Sequence, residues 1–175
     1  AVGAVAWSPD GKFLASGGKG GKLELIVWIL ADQSVVFRTT TGQVKNHGMI
    51  AWSPDSQRIT KCGYRRIPVW DARTGTVLQE FLVEDDSTSV EWSPTGESLA
   101  VGLRSGTVVI LDVESGLPKT RLEGEKFRAL AVAWNPAGTQ IAAACERGIR
   151  LFDTKDERTR ATLLGHRDTI TALAW

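Results

Sequence analysis

Lys19 and Lys22, Arg65 and Arg66, Arg104, and Arg147 recur at comparable places in four successive segments of the chain. Such cations can hold a carboxylate or a phosphate, and arginine does so with two parallel N–H donors. Tyr64 and Lys45 complete the candidate partner-binding set. The chemistry on offer is recognition of an anionic group rather than bond breaking. The two histidines, His47 and His166, have no third group nearby in sequence with which to form a Ser-His-Asp relay. No Cys-x-x-Cys or His-x-x-x-His spacing offers a zinc site. The run from Ser16 to Lys22 imitates a phosphate loop but fails as one. Ser16 stands at its first glycine, Leu23 replaces the Ser or Thr, and a strand is expected to follow. Glu84-Asp85-Asp86, with Ser87, reads as a polar link that could offer an acidic spot to a basic partner. The expectation is no catalytic residue, no metal and no cofactor.

A repeat must position those cations. Every tryptophan falls at one of two places in a unit of about 42 residues. Trp7, Trp52, Trp92, Trp134 and Trp175 follow one another at spacings of 45, 40, 42 and 41. Trp28 and Trp70 occupy the second place, and Leu111 and Phe152 continue it. After the first tryptophan the chain reads Trp7-Ser8-Pro9-Asp10-Gly11, Trp52-Ser53-Pro54-Asp55-Ser56, Trp92-Ser93-Pro94-Thr95-Gly96 and Trp134-Asn135-Pro136-Ala137-Gly138. Proline presets the first corner of a type I turn, and glycine takes the left-handed position that reverses the chain. Ser56 breaks the pattern and is expected to carry a small strain there.

Short apolar runs flank these turns, with further turn signals about every 8 to 12 residues. Each unit therefore predicts four antiparallel strands and essentially no helix. The units divide at about 1–41, 42–83, 84–123 and 124–164, and residues 165–175 carry the first strand of a further one, from Ile170 to Trp175. A single small sheet cannot bury both faces alone, so the units must stack, and radial closure gives a β-propeller of four-stranded blades. The tryptophans are the large side chains expected to fill the space between blades.

The turns, Trp70-Asp71 with Thr74-Gly75, Leu111-Asp112 with Ser115-Gly116, Phe152-Asp153, and Leu164-Gly165-His166 nine residues before Trp175 together resemble WD40 repeats over the whole chain. The resemblance gives structural roles to Trp7, Trp28, Trp52, Trp70, Asp71, Trp92, Asp112, Trp134, Asp153 and His166. It has departures. The Gly-His place reads Gly42-Gln43, Leu82-Val83 and Gly124-Glu125 in earlier units, and Trp28 is followed by Ile29. The family's buried Asp, His, Ser/Thr and Trp network is complete in no unit, so stability is expected to rest more on packing. WD40 propellers most often have seven blades. The resemblance thus implies a slice of a seven- or eight-bladed ring, or a half-ring that pairs with a second copy.

In that architecture the turns between second and third strands emerge on one face. The basic set would line it, joined by Lys126, Arg128 and Arg167 and diluted by Glu84, Asp85, Asp86, Glu125 and Asp168. Tyr64 and Phe127 are its only aromatics, which disfavours single-stranded nucleic acid. The net charge of +1 gives no whole-chain field for nucleic acid or membrane, and no apolar run is long enough to span a bilayer. Cys62 and Cys145, on second strands of non-adjacent units, are expected as buried free thiols in an intracellular setting, cytoplasmic or nuclear. The resemblance implies a non-catalytic scaffold that presents peptides or domains, its partner an acidic or phosphorylated segment. The alternatives are the accessory propeller of a multidomain enzyme or signalling ATPase, and a binder of nucleic-acid backbone.

Overall fold

A computed structural model of the protein describes residues 2–18, 21–44, 49–123, 128–156 and 158–175, with the backbone alone at 21–23 and 41–44. The described residues form sixteen strands and no helix. The first sheet holds β1 (Val2–Trp7), β2 (Phe13–Gly18), β3 (Gly21–Ile29) and β4 (Val35–Val44). The second holds β5 (Ile50–Trp52), β6 (Arg58–Lys61), β7 (Arg66–Asp71) and β8 (Val77–Leu82). The third holds β9 (Ser87–Trp92), β10 (Ser98–Leu103), β11 (Val108–Asp112) and β12 (Pro118–Leu122). The fourth holds β13 (Ala129–Trp134), β14 (Gln140–Cys145), β15 (Gly148–Asp153) and β16 (Thr159–Leu164). Each is a blade in which consecutive strands pair in sequence order. The chain divides into two compact units, Ala1–Ser87 with the first two blades and Thr88–Trp175 with the last two.

The turn chemistry explains why each blade begins as it does. Gly11, Gly96 and Gly138 have φ of 70°, 75° and 69°. Ser56 sits in the same left-handed region at 59°, as expected from its place in the repeat. Its hydroxyl accepts the Asp10 N–H of the neighbouring blade at 3.1 Å, which offsets the backbone cost. Ser8 and Ser53 tie their turns to Asp10 and Asp55, and each accepts the N–H five residues on. Asn135 replaces the serine in the last turn and accepts from Thr139 and Gln140.

Between the two blades of the first unit lie Ala15, Leu25, Val27, Ile50, Trp52, Ile59 and Trp70, all buried. Phe13 stacks on Trp52 with centroids 6.0 Å apart, and the Trp52 indole N–H donates to Ala6 O at 3.1 Å. The second unit repeats the scheme with Val132, Trp134, Ile141 and Phe152 packed on Ala100, Val108, Ile110 and Leu122. Trp7 occupies the same place in β1 but is 62% exposed. Burying such a ring removes roughly 150–250 Å² from water, so these interfaces are the main source of cohesion within each unit.

Two expectations need adjustment. Strand β4 runs to Val44, so it includes Gly42 and Gln43, past the unit boundary expected at about residue 41. Residues 170–175 form no strand. A first strand's ladder partner is the second strand of its own blade, and no strand among the described residues pairs with this segment. It is held by packing instead: Ile170 and Leu173 lie on Ala131, Ala144 and Ile149, and the Ile170 N–H donates to Glu146 O at 2.9 Å.

Candidate interaction site

The turn between β6 and β7 presents Tyr64, Arg65 and Arg66, all exposed. Arg65 adopts φ of 55°, a left-handed corner that turns the chain tightly. Its guanidinium donates to the Glu84 carbonyl, and its own carbonyl accepts the Val83 N–H at 3.0 Å. Arg66 pairs with the Glu80 carboxylate on the adjacent strand β8. These two arginines hold their own blade together, and part of their charge is already answered. Sequence spacing could not reveal this: Glu80 is the register partner of Pro68, diagonal to Arg66, and Glu84 lies just past the end of β8, so both come near the arginines only once β7 and β8 pair. The acidic link is partly folded in as well: Asp86 is buried.

In the second unit, Arg104 is exposed in the β10–β11 turn and Arg147 in the β14–β15 turn. Arg147 has Glu146 before it at φ of 33° and Gly148 after it. This turn borders an open cleft of about 610 Å³ lined by Cys145, Glu146, Arg147, Gly148, Arg150, Thr162 and Leu164. Arg150 was not part of the sequence reading. It reaches the Glu123 carbonyl at 3.5 Å, and its strand partner is Thr162. Cys145 is a free thiol, as is Cys62. Cys145 is only half-buried, a correction to the expected burial, because its turn opens onto the cleft. Burial pushes the Cys62 thiol up to about 12 and makes it inert. Lys19 and Lys45 lie outside the described residues, as does the Lys22 side chain. His47, Lys126 and Phe127 are outside them too.

Structural residues of the repeat divide by role. Asp71 accepts from the N–H groups of Arg73 and Thr74 and from the Thr74 hydroxyl. Asp112 accepts from the Ser115 N–H and pairs with Lys119 at 2.6 Å. Asp153 accepts from the Lys155 N–H and pairs with Arg160 at 3.0 Å. Hydrogen bonds from Thr74, Lys119 and Lys155, respectively, hold these carboxyls below the ordinary range. Their work is to close the turn after the third strand. Trp28 donates to Ser16 Oγ at 3.1 Å, while the buried Trp70 and Trp134 indole N–H groups have no partner among the described residues. Trp92 is buried, and His166 is exposed.

Two charged groups, one buried and one half-buried, escaped sequence reasoning. Lys61 stands at the place of Ser16 in the next repeat, which explains the orphaned Trp70. Although 0% exposed, its Nζ donates to Glu24 O at 3.0 Å and Gly18 O at 3.3 Å, both on the neighbouring blade. Gly17 makes room, since a Cβ there would lie 2.8 Å from Lys61 Nζ. Burial lowers the lysine's pKa. In the second unit, Glu91 stands at the place of Ala6 and accepts the Trp134 backbone N–H at 2.5 Å. Burial pushes its carboxyl up to about 7 against the pull of that bond. Gly102 stands at the place of Gly17, and there Thr88 and Ser89 both donate to Ala129 O, at 2.5 and 3.0 Å. Among the described residues no three His, Cys, Asp or Glu side chains could hold a metal, and no helix is long and apolar enough to cross a membrane.

The geometry is that of blades whose turns are closed by aspartates and whose neighbours within each unit are packed through tryptophans, and comparison with known proteins agrees. The family model for the WD domain, G-beta repeat, matches residues 1–26. The WD repeat-containing protein slp1 of Schizosaccharomyces pombe is 33% identical over 118 residues, covering 63% of this chain and 23% of that protein. The small ribosomal subunit protein RACK1y of Oryza sativa subsp. japonica is 28% identical over 120 residues, 64% of this chain and 34% of that protein. THO complex subunit 3 of Arabidopsis thaliana is 27% identical over 143 residues, 78% of this chain and 44% of that protein. The chain thus spans less than half the length of each of these relatives. Its unit length, its blades and these likenesses agree: the chain is similar to proteins of the WD40-repeat family.

Proposed function

We propose that this chain is part of an intracellular, non-catalytic scaffold that holds a protein partner through the turns between second and third strands. The partner offers an acidic or phosphorylated segment. The observation that carries the reading is the exposure of arginine at these turns in both units: Arg65 and Arg66 in one, Arg104 and Arg147 in the other. Relatives named for a ribosomal subunit and for the THO complex add support, since both names denote assemblies. Fold alone does not specify a partner, so the turns must be tested directly. Arg104→Glu with Arg147→Glu, and separately Arg65→Glu with Arg66→Glu, would be introduced into the full-length protein. Quantitative co-purification is expected to lose the same acidic partner in at least one pair. An unchanged partner set in both would refute the reading. Loss of co-purified RNA alone, with a steep salt dependence, would favour the nucleic-acid alternative.

A further inference from the structure

The second unit is electrically lopsided. The end carrying its β10–β11 and β14–β15 turns gathers Arg104, Arg121, Arg128, Arg147 and Arg150 against Glu123 and Glu146. At the other end, Lys119 and Arg160 pair with Asp112, Asp153 and Asp156. The cleft of about 610 Å³ lies at the arginine-rich end. Its shape follows from register. Cys145, Gly148 and Leu164 are cross-strand partners in one row, and Arg150 and Thr162 are partners in the next row on the same face. Gly148 leaves the first row open, since a Cβ there would meet Leu164 Cδ2 at 3.0 Å. Leu164, 80% exposed, supplies an apolar wall beside the cations.

We propose that this cleft is the docking site for an acidic segment of a protein partner. The inference rests on the scaffold reading above. A carboxylate is taken by Arg147 and Arg150, with the Thr162 hydroxyl alongside, and a neighbouring apolar side chain lies on Leu164. Charge complementarity selects an anionic segment. The exposed leucine, and the lack of an aromatic among the described lining residues, favour a peptide over nucleic-acid bases, which need stacking platforms.

The test is fluorescence anisotropy on the intact chain with a fluorescein-labelled peptide of alternating glutamates and leucines. Arg147→Ala with Arg150→Ala is expected to weaken binding by about tenfold or more. Gly148→Val fills the cleft without changing charge and is expected to weaken it comparably. Lys155→Ala, at the other end, is expected to leave it unchanged. Circular dichroism checks the fold, and Leu164→Ser on the exposed wall serves if Gly148→Val does not fold. Wild-type affinity in both the arginine and the wall variants would overturn the cleft. So would a single-stranded oligonucleotide that displaces the peptide at a lower concentration than unlabelled peptide. If the peptide fails to bind while co-purification still depends on the turn arginines, the cleft is wrong and the scaffold reading stands. If both fail, the scaffold reading falls with it.

Discussion

Replacing Glu91 by glutamine should make the stability of this chain less sensitive to pH, and the size of the effect can be worked from the structure. The Glu91 carboxyl accepts the Trp134 N–H across the interface of the second unit, and burial raises its pKa from the ordinary 4.5 to about 7. The folded state therefore binds a proton more tightly than the unfolded state. The resulting stabilisation is complete below about pH 4.5 and is lost as pH rises towards 7, where the group must ionise in a poorly solvated place. At about 1.4 kcal/mol per pH unit the ceiling is about 3 kcal/mol. The side chain is only partly buried, and solvent screening brings the expected loss to about 1–2 kcal/mol. Glutamine keeps an acceptor for the Trp134 N–H and does not titrate. Urea unfolding of both proteins at pH 5 and pH 8 measures the difference, and groups common to both cancel. The variant should be close to the wild type at pH 5 and about 1–2 kcal/mol more stable at pH 8. Parallel profiles, or a gain at pH 5 alone, would refute the burial argument.

Lys61→Ala removes the donor for Gly18 O and Glu24 O and leaves a void over Gly17, at a cost of about 2–4 kcal/mol in urea unfolding. Lys61→Met fills that void and should recover about 1 kcal/mol or more of the loss. Ser56→Ala keeps the left-handed backbone but loses the bond from Asp10, so it should cost about 1 kcal/mol. Ser56→Gly should be nearly neutral, since strain and hydrogen bond are lost together. Gly102→Ala would place a Cβ 2.6 Å from Ala129 O, where backbone cannot yield cheaply, and should lower the thermal midpoint through about 1–3 kcal/mol of overpacking. An unchanged midpoint would mean the two blades of that unit are not packed as described.

The period of the tryptophans, the order of four strands per blade and the left-handed corner at Ser56 were legible in the chain alone. Each depends on local chemistry: strand alternation, proline and glycine in turns, and side chains that recur wherever the same interface recurs. Aspartates 71, 112 and 153 were legible as members of the repeat, though their turn-closing bonds were not. Tertiary structure alone decided what each cation meets. Arg65 and Arg66 are engaged by Glu84 and Glu80 because the pairing of β7 with β8 brings those residues diagonally near them. Arg150 joins Arg147 because Gly148, between them, leaves a gap that strand pairing sets beside Thr162 and Leu164. Lys61 and Glu91 read as ordinary polar residues of strands, and they become interblade staples, one buried and one half-buried, because the neighbouring blade packs over them. A charge is tuned by what packs against it in space, and in a repeat protein that neighbour lies about one repeat away along the chain.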